Sequence, residues 1–127
     1  MIVVNEFNEV LLLKGIISHH GYWTFPGGGA GRYEDVADAA IREVHEETGI
    51  LLASSKVEYI RTIPKKELGL DFDVPLFLTH VKKSDLPSTL YNSHEIAEIG
   101  WFPVNKLPAR TAYLVAHGLK EYTKQQR

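Results

Sequence analysis

Apolar residues occur in short runs along the first half of the chain, and polar or glycine-rich segments separate these runs. The apolar runs at 2–4 and 10–14 predict two β-strands joined through a polar turn. The segment 19–31 contains three successive glycines and therefore predicts a loop. From 35 to 48 the apolar residues recur with a helical period, and Gly49 is typical of the residue that ends a helix.

The second half of the chain contains three further strand patterns and a second helix pattern. Strands are predicted at 56–63, 72–81 and 98–104, a polar connection at 82–95, and a closing helix at about 109–125. Pro75 predicts that its strand lies at a sheet edge or begins late. Because strands outnumber helices and the two helices are separated, we expect one α+β domain spanning 1–127, a sandwich with a mixed β-sheet.

Composition narrows the class of protein further. The chain has 127 residues, a net charge of −2 and no cysteine, so we expect neither a disulfide framework nor a thiolate metal site. This charge offers no basic field for nucleic acid or an acidic membrane, and we expect no large polyanionic partner. The N-terminal apolar runs are too short for a signal peptide or a membrane span. We therefore expect a cytoplasmic protein; a monomer and a homodimer both stay open.

Three acidic residues are concentrated near the end of the first predicted helix. At about 100° per residue, Glu43, Glu46 and Glu47 share an arc of roughly 100°. This arc borders an apolar stripe that we expect to face the core, made of Ala37, Ala40, Ile41, Val44 and Thr48. Arg42 lies one turn from Glu46, at the right spacing for a bidentate contact with that carboxylate.

Like charges at this spacing repel, and the C-terminal end of a helix disfavours carboxylates further. The simplest interpretation is a solvated acidic patch. The cluster nevertheless borders the buried face and follows a glycine-rich loop that brings backbone groups towards it. Carboxylate and carbonyl oxygens suit a hard dication such as Mg²⁺, which would turn the repulsion into binding energy.

Residues 28–50 resemble the Nudix box, Gly-x5-Glu-x7-Arg-Glu-U-x-Glu-Glu-x-Gly-U, in which U is a bulky aliphatic residue. Every specified position is filled, by Gly28, Glu34, Arg42, Glu43, Val44, Glu46, Glu47, Gly49 and Ile50. Seven of these positions require one residue type, so a chance match at a given start is on the order of 10⁻⁸ at about 7% usage each. The segments 23–28 and 98–103 are also similar to parts of the same fold.

The resemblance implies a Nudix-type α/β/α sandwich in which the box forms a loop-helix-loop motif. It also implies hydrolysis of a nucleoside diphosphate linked to another moiety, with Mg²⁺ or Mn²⁺ as cofactor. By position, the metal ligands would be Glu43, Glu46, Glu47 and the carbonyl of Gly27. Arg42 would orient the glutamates, and Glu34 would either brace the loop and helix or reach an outer metal through water. The general base is left open between a box glutamate and a glutamate outside the box, either Glu95 or Glu98.

Several other residues are candidates for substrate contact. The backbone of Gly28 and Gly29 would approach the phosphates. Trp23 is expected either to stack on a base or to pack under the loop, whereas Tyr22 and Tyr91 would read a base or simply lie at the surface. Asn92 would likewise read a base or lie at the surface, and Arg32, Lys65 and Lys66 would either meet substrate phosphates or be solvated charges. His94, beside Glu95, is a candidate for proton transfer. The adjacent His19 and His20 are poor joint metal ligands because they would point apart in extended chain.

Two alternatives of different class remain beside the hydrolase. A catalytically silent domain that binds a nucleotide or a protein would usually have lost box glutamates, and none is lost here. A processor of RNA ends would need a basic groove. The chain also departs from many relatives at Gly31 and Tyr33, both unspecified positions of the box, which leaves the loop path open. Substrate choice is expected to depend on the loops at 15–25 and 82–95.

Overall fold

A computed structural model describes residues 1–15, 21–27, 34–87 and 96–126. The strands are β1 (Ile2–Val4), β2 (Glu9–Gly15), β3 (Trp23–Thr24), β4 (Val57–Ile63), β5 (Val74–His80) and β6 (Ile96–Pro103). The helices are α1 (Val36–Thr48), the single-turn α2 (Lys65–Leu68) and α3 (Tyr113–Gln125). Short 3₁₀ turns occupy Ser54–Lys56 and Lys83–Asp85.

The described strands form one mixed sheet, as the sequence predicted. β1 pairs in parallel with β5, whereas every other pairing between these strands is antiparallel. β2 is the strand that joins the two halves of the sheet. β6 runs along the full length of one edge of β2, so β1 and β3 must share its other edge, at Val10 and at Leu13–Lys14 respectively.

The two long helices cover opposite faces of this sheet, because successive strand residues point to opposite sides. On one face, Ala40 and Val44 of α1 pack with Val3, Leu11 and other buried residues. On the other face, Val115 and Leu119 of α3 pack in a cluster that includes Val4, Val10, Leu12 and Phe25. The expected α/β/α sandwich is therefore confirmed.

The structure differs from the sequence prediction in several local details. β5 lies between β1 and β4, so the first alternative given for Pro75, an edge strand, is wrong for the strand as a whole, whereas the second, a late start, is confirmed. β1 reaches only Leu78 to His80, so β5 has a single neighbour at Pro75, and the strand begins at Val74 instead of residue 72. The closing helix begins at Tyr113 instead of 109, and both β3 and α2 were missed.

None of the helices in the described ranges is long and apolar enough to cross a membrane.

Candidate functional site

Helix α1 has clear start and stop signals at both ends. The Asp35 carboxylate accepts hydrogen bonds from the backbone N–H groups of Ala37 (3.0 Å) and Asp38 (3.3 Å), which satisfies two donors of the first turn. At the other end, Gly49 has a left-handed conformation with φ of 82°, and its N–H donates to the carbonyl of His45. The caps therefore define both ends of the helix, including the last two turns, which contain the three acids.

The predicted apolar stripe of α1 faces the core. Ala40, Val44 and Thr48 are buried, and Ala37 and Ile41 are partly buried against the same cluster. Ala39 is also buried, at 1% exposure, although it lies on the arc that carries the acids. Part of that arc is therefore covered, and Glu43 retains only 22% side-chain exposure, whereas the Glu46 side chain is 47% exposed.

Arg42 is the centre of the acidic cluster. Its Nε donates to Glu34 Oε2 at 2.8 Å and its Nη2 to Glu34 Oε1 at 3.0 Å, a two-pronged contact that fastens the segment before the helix. Its Nη1 donates to Glu43 Oε1 at 3.0 Å and to both carboxylate oxygens of Glu46 at 3.2 Å. The contact with Glu46 was predicted, but the fork geometry is made with Glu34.

The charge balance around Arg42 is strongly negative. Hydrogen bonds from Arg42 to the carboxylates of Glu34 and Glu46 raise the pKa of its guanidinium above the usual range. The guanidinium therefore stays charged at any pH at which the protein is folded, and it orients carboxylates that would otherwise repel one another. The single positive charge of Arg42 contacts three carboxylates, those of Glu34, Glu43 and Glu46. The net negative charge that remains favours binding of a dication.

Glu47 connects the helix to the glycine-rich segment. The backbone N–H of Gly27 donates to Glu47 Oε1 at 2.7 Å. Gly27 has φ of 139°, a conformation that is open to glycine and strained for other residues. The preceding carbonyl, that of Pro26, accepts a hydrogen bond of 2.9 Å from the buried amino group of Met1, and burial lowers the pKa of this amino group to about 6. Strand β1, the loop and the helix thus meet at one point.

The donor set fits a hard dication by its chemistry, because it consists of carboxylate and backbone oxygens without thiolate or imidazole. Within 1–15, 21–27, 34–87 and 96–126, however, no three acidic or histidine side chains converge closely enough to hold a metal ion. Glu43 and Glu46 are turned towards Arg42, and Glu47 towards the Gly27 N–H. Metal ligation by these three residues and the Gly27 carbonyl therefore stays a prediction.

The structure does not bring Glu98 together with the helix acids. Its neighbours along β6, Ile99 and Trp101, pack in the cluster on the α1 face of the sheet. By strand alternation Glu98 points to the opposite face, where its Oε2 lies 2.9 Å from the Nζ of Lys14. A role of Glu98 as the general base stays a prediction.

Trp23 packs and is also partly accessible. Its ring makes an edge contact with Phe102, with centroids 4.8 Å apart, and Lys14 Nζ lies 5.4 Å from its ring centroid. Its backbone N–H donates to the carbonyl of Arg110, and its carbonyl accepts from the N–H of Ala112. Trp23 therefore packs against Phe102 and the segment before α3, whereas packing under the glycine-rich loop and stacking on a base both stay predictions.

Tyr22 lies at an open cavity of about 570 Å³ beside the start of α3. The cavity is lined by Tyr22, Leu107, Thr111, Ala112, Tyr113 and Ala116. The guanidinium of Arg110 lies 5.2 Å from the centroid of the Tyr22 ring. Tyr22 is 41% exposed and therefore lies at the surface, and a role in reading a base stays a prediction.

Several predicted residues lie outside the described ranges: Gly28, Gly29, Tyr91 and Glu95 among the main candidates, and His19, His20, Gly31, Arg32, Tyr33, Asn92 and His94 among the others. Lys65 and Lys66 lie on the exposed helix α2, remote in sequence from the acidic cluster. Sequence reasoning did not anticipate the contacts of Lys14 with Glu98 and Trp23. The available signal was a charged residue in an otherwise apolar strand, two positions after Leu12 and therefore on the same face of the sheet.

The comparisons with known proteins agree with the fold and with the box. The model of the family described as "NUDIX domain" matches residues 1–124. Nudix hydrolase 2 of Arabidopsis thaliana is 41% identical over 104 residues, which cover 80% of this chain and 36% of that protein. The RNA pyrophosphohydrolase of Pelagibacter ubique is 35% identical over 78 residues, covering 55% of this chain and 47% of that protein.

Solved structures show the same architecture. The crystal structure of a MutT NUDIX hydrolase from Burkholderia pseudomallei aligns with a TM-score of 0.75 at 22% identity, and the alignment covers 94% of each chain. In contrast, the chain spans less than half the length of the curated relatives named above.

Proposed function

Because the chain belongs to the NUDIX domain family, we propose that it hydrolyses the pyrophosphate linkage of a nucleoside diphosphate joined to another moiety, with Mg²⁺ or Mn²⁺ as cofactor. The products would be a nucleoside monophosphate and the phosphorylated second moiety. The observation that carries this proposal is the 2.7 Å contact between Gly27 N–H and Glu47, which joins the acid-rich helix to the glycine loop.

The proposal assigns a separate task to each residue of the cluster. Glu43, Glu46, Glu47 and the Gly27 carbonyl would hold the metal. When bound, a dication supplies Lewis acidity towards the phosphate oxygens and so lowers the barrier to attack by water. Arg42 keeps the carboxylates oriented, and Glu34 anchors Arg42 through two hydrogen bonds. Attack forms a bond from water oxygen to phosphorus, breaks the bridging P–O bond, and delivers the water proton to a carboxylate of the cluster.

Support for the substrate class comes from the names of relatives. An RNA pyrophosphohydrolase and a Nudix hydrolase are among them, and both names fit cleavage of a phosphoanhydride. The RNA name also means that our expectation of no nucleic-acid partner is open to test. We therefore include a 5′-triphosphorylated RNA oligonucleotide among the candidate substrates, beside small nucleotides.

The test is a panel of substrates assayed for product release with Mg²⁺ and with EDTA. The panel contains nucleoside triphosphates, ADP-ribose, a dinucleoside polyphosphate, a nucleotide sugar and the RNA oligonucleotide. We expect turnover of at least one substrate in Mg²⁺ and none in EDTA. Inactivity on every substrate would overturn the proposal and favour a domain that binds a nucleotide or a protein without cleaving it.

Two glutamate variants separate the site from the rest of the surface. Glu47→Gln is expected to lose nearly all turnover while its circular dichroism spectrum and melting temperature stay close to those of the parent. Glu58→Gln is the matched control, since Glu58 is exposed on β4, on the other side of the sheet order from β3. A folded Glu47→Gln protein with the parent rate would contradict the assignment of the cluster.

A further inference from the structure

A row of three side chains crosses three neighbouring strands on the α3 face of the sheet. Lys14 of β2 is paired in register with Trp23 of β3 on one side and with Glu98 of β6 on the other. Lys14 Nζ lies 2.9 Å from Glu98 Oε2 and 5.4 Å from the centroid of the Trp23 ring. We call these three residues the Trp23–Lys14–Glu98 row.

Stability alone does not account for this row. The Lys14 and Glu98 side chains are 32% and 55% exposed, and an ion pair with that much solvent contributes about 0–1 kcal/mol. Behind the row, Gly100 leaves space that a side chain would fill: a Cβ there would lie 3.1 Å from the Phe102 ring and 4.0 Å from Trp23 Cη2. The bare backbone at Gly100 lets both aromatic rings lie close over β6.

We propose that the Trp23–Lys14–Glu98 row binds the base of the substrate and selects guanine. This inference rests on the proposed function, because it names the nucleoside part of the substrate of the same enzyme. A large aromatic ring beside a cation and a carboxylate offers a surface on which a base can stack, together with one hydrogen-bond donor and one hydrogen-bond acceptor. Planar heterocycles with both donors and acceptors on one edge match that combination.

Guanine is favoured over other bases by the carboxylate. Its Watson–Crick edge presents two adjacent donors, N1–H and the 2-amino group, next to the O6 acceptor. The two oxygens of Glu98 accept from both donors in a charge-assisted fork, and the Lys14 ammonium donates to O6. The Watson–Crick edges of adenine, cytosine and uracil each offer only one donor group beside an acceptor. One of the two Glu98 oxygens would therefore have no donor from the base.

The chain through β3 limits how far this row lies from Gly27. Trp23 lies four residues before Gly27, and four residues of extended chain span at most about 14 Å. That reach is comparable to the length of a nucleoside diphosphate. Lys14 has a flexible four-carbon stem, so its ammonium moves from the Trp23 ring to the base edge when the base stacks.

The first experiment measures binding without catalysis. Isothermal titration of the protein in EDTA with guanosine 5′-monophosphate and with adenosine 5′-monophosphate compares the two bases directly. We expect guanosine monophosphate to bind at least about fivefold more tightly, since a bidentate base contact typically gives this discrimination or more. Equal affinity for the two nucleotides, or tighter binding of the adenine nucleotide, would overturn the proposal.

Variants identify the residues responsible. Glu98→Gln and Lys14→Met are expected to reduce the guanine preference to less than twofold, while adenosine monophosphate binding changes little. Glu9→Gln is the matched control, because Glu9 forms a similar ion pair, 3.1 Å from Lys83, at the opposite end of β2. If both row variants keep the guanine preference, that preference arises from other residues, and the proposal that the row selects the base is refuted.

The same measurements separate this proposal from the proposed function. Turnover across the panel without base preference in either assay would refute the guanine row and leave the hydrolase standing. Selective binding of guanosine monophosphate without turnover of any substrate would support the row and refute the hydrolase. Intrinsic fluorescence adds a second readout, because the chain has only two tryptophans and stacking on Trp23 quenches one of them.

Discussion

Replacement of Gly27 by alanine tests the junction between the loop and the acidic helix. Gly27 has φ of 139°, which alanine adopts only with strain, and a Cβ at this position would lie 3.4 Å from the amino nitrogen of Met1. Backbone strain of this kind costs on the order of 1–3 kcal/mol. The unfolding entropy of a 127-residue domain is about 0.27 kcal/mol/K near its melting temperature, so Tm should fall by about 4–11 °C.

The substitution should also affect the site, because relief of the strain rotates the peptide that donates to Glu47. We expect turnover of the best panel substrate to fall by roughly 10- to 100-fold, the range typical of small misplacements in an active site. Differential scanning calorimetry gives Tm, and initial rates with Mg²⁺ give activity.

Gly69→Ala provides the matched control for backbone strain. Gly69 also has a left-handed conformation, with φ of 67°, and nothing lies within 4 Å of its Cβ position. It ends the short helix α2, between β4 and β5. This variant should lose about 1–2 kcal/mol of stability and keep the parent activity. An unchanged Tm in Gly27→Ala, or equal activity losses in the two variants, would refute the reasoning.

Three further substitutions probe the framework. Gly118→Ala should lower the free energy of unfolding in urea by about 1–2 kcal/mol, because the new Cβ would lie 2.8 Å from the buried Phe25 ring. This loss is expected although alanine has the better helix propensity. A gain in stability would show that the ring moves freely. Thr48→Val should cost about 1–3 kcal/mol, because the buried Ile50 N–H loses its 3.1 Å acceptor, and a near-zero loss would indicate another partner. Burial raises the pKa of the Tyr122 hydroxyl, so the contribution of the neutral side chain to stability is complete below pH 10 and is lost as pH rises through the pKa of the folded state. Tyr122→Phe should therefore reduce the decline in unfolding free energy between pH 9 and pH 11, as measured by denaturation curves. An equal decline in the parent and the variant would contradict this prediction.

The sequence by itself determined the elements that depend on local pattern. Short apolar runs and alternating apolar residues located β1, β2, β4, β5 and β6 to within a few residues, since each strand must bury one side or both. Helix α1 was placed almost to the residue because Asp35 and Gly49 supply its own cap interactions. The box spacing identified the acidic cluster and its central arginine for the same reason: residues three or four apart on one helix are neighbours in any fold.

Only the tertiary structure decided features that depend on distant partners. The two-residue strand β3 has no local signal, because its hydrogen bonds go to β2 and to the segment before α3. The fork of Arg42 went to Glu34, which lies outside the helix and whose position the helix period does not specify. Glu98 joined Lys14 on the face away from α1 because the register of β6 on β2 fixes which side of the sheet each residue takes. That register arises from pairing across more than eighty residues of chain, which no local pattern encodes.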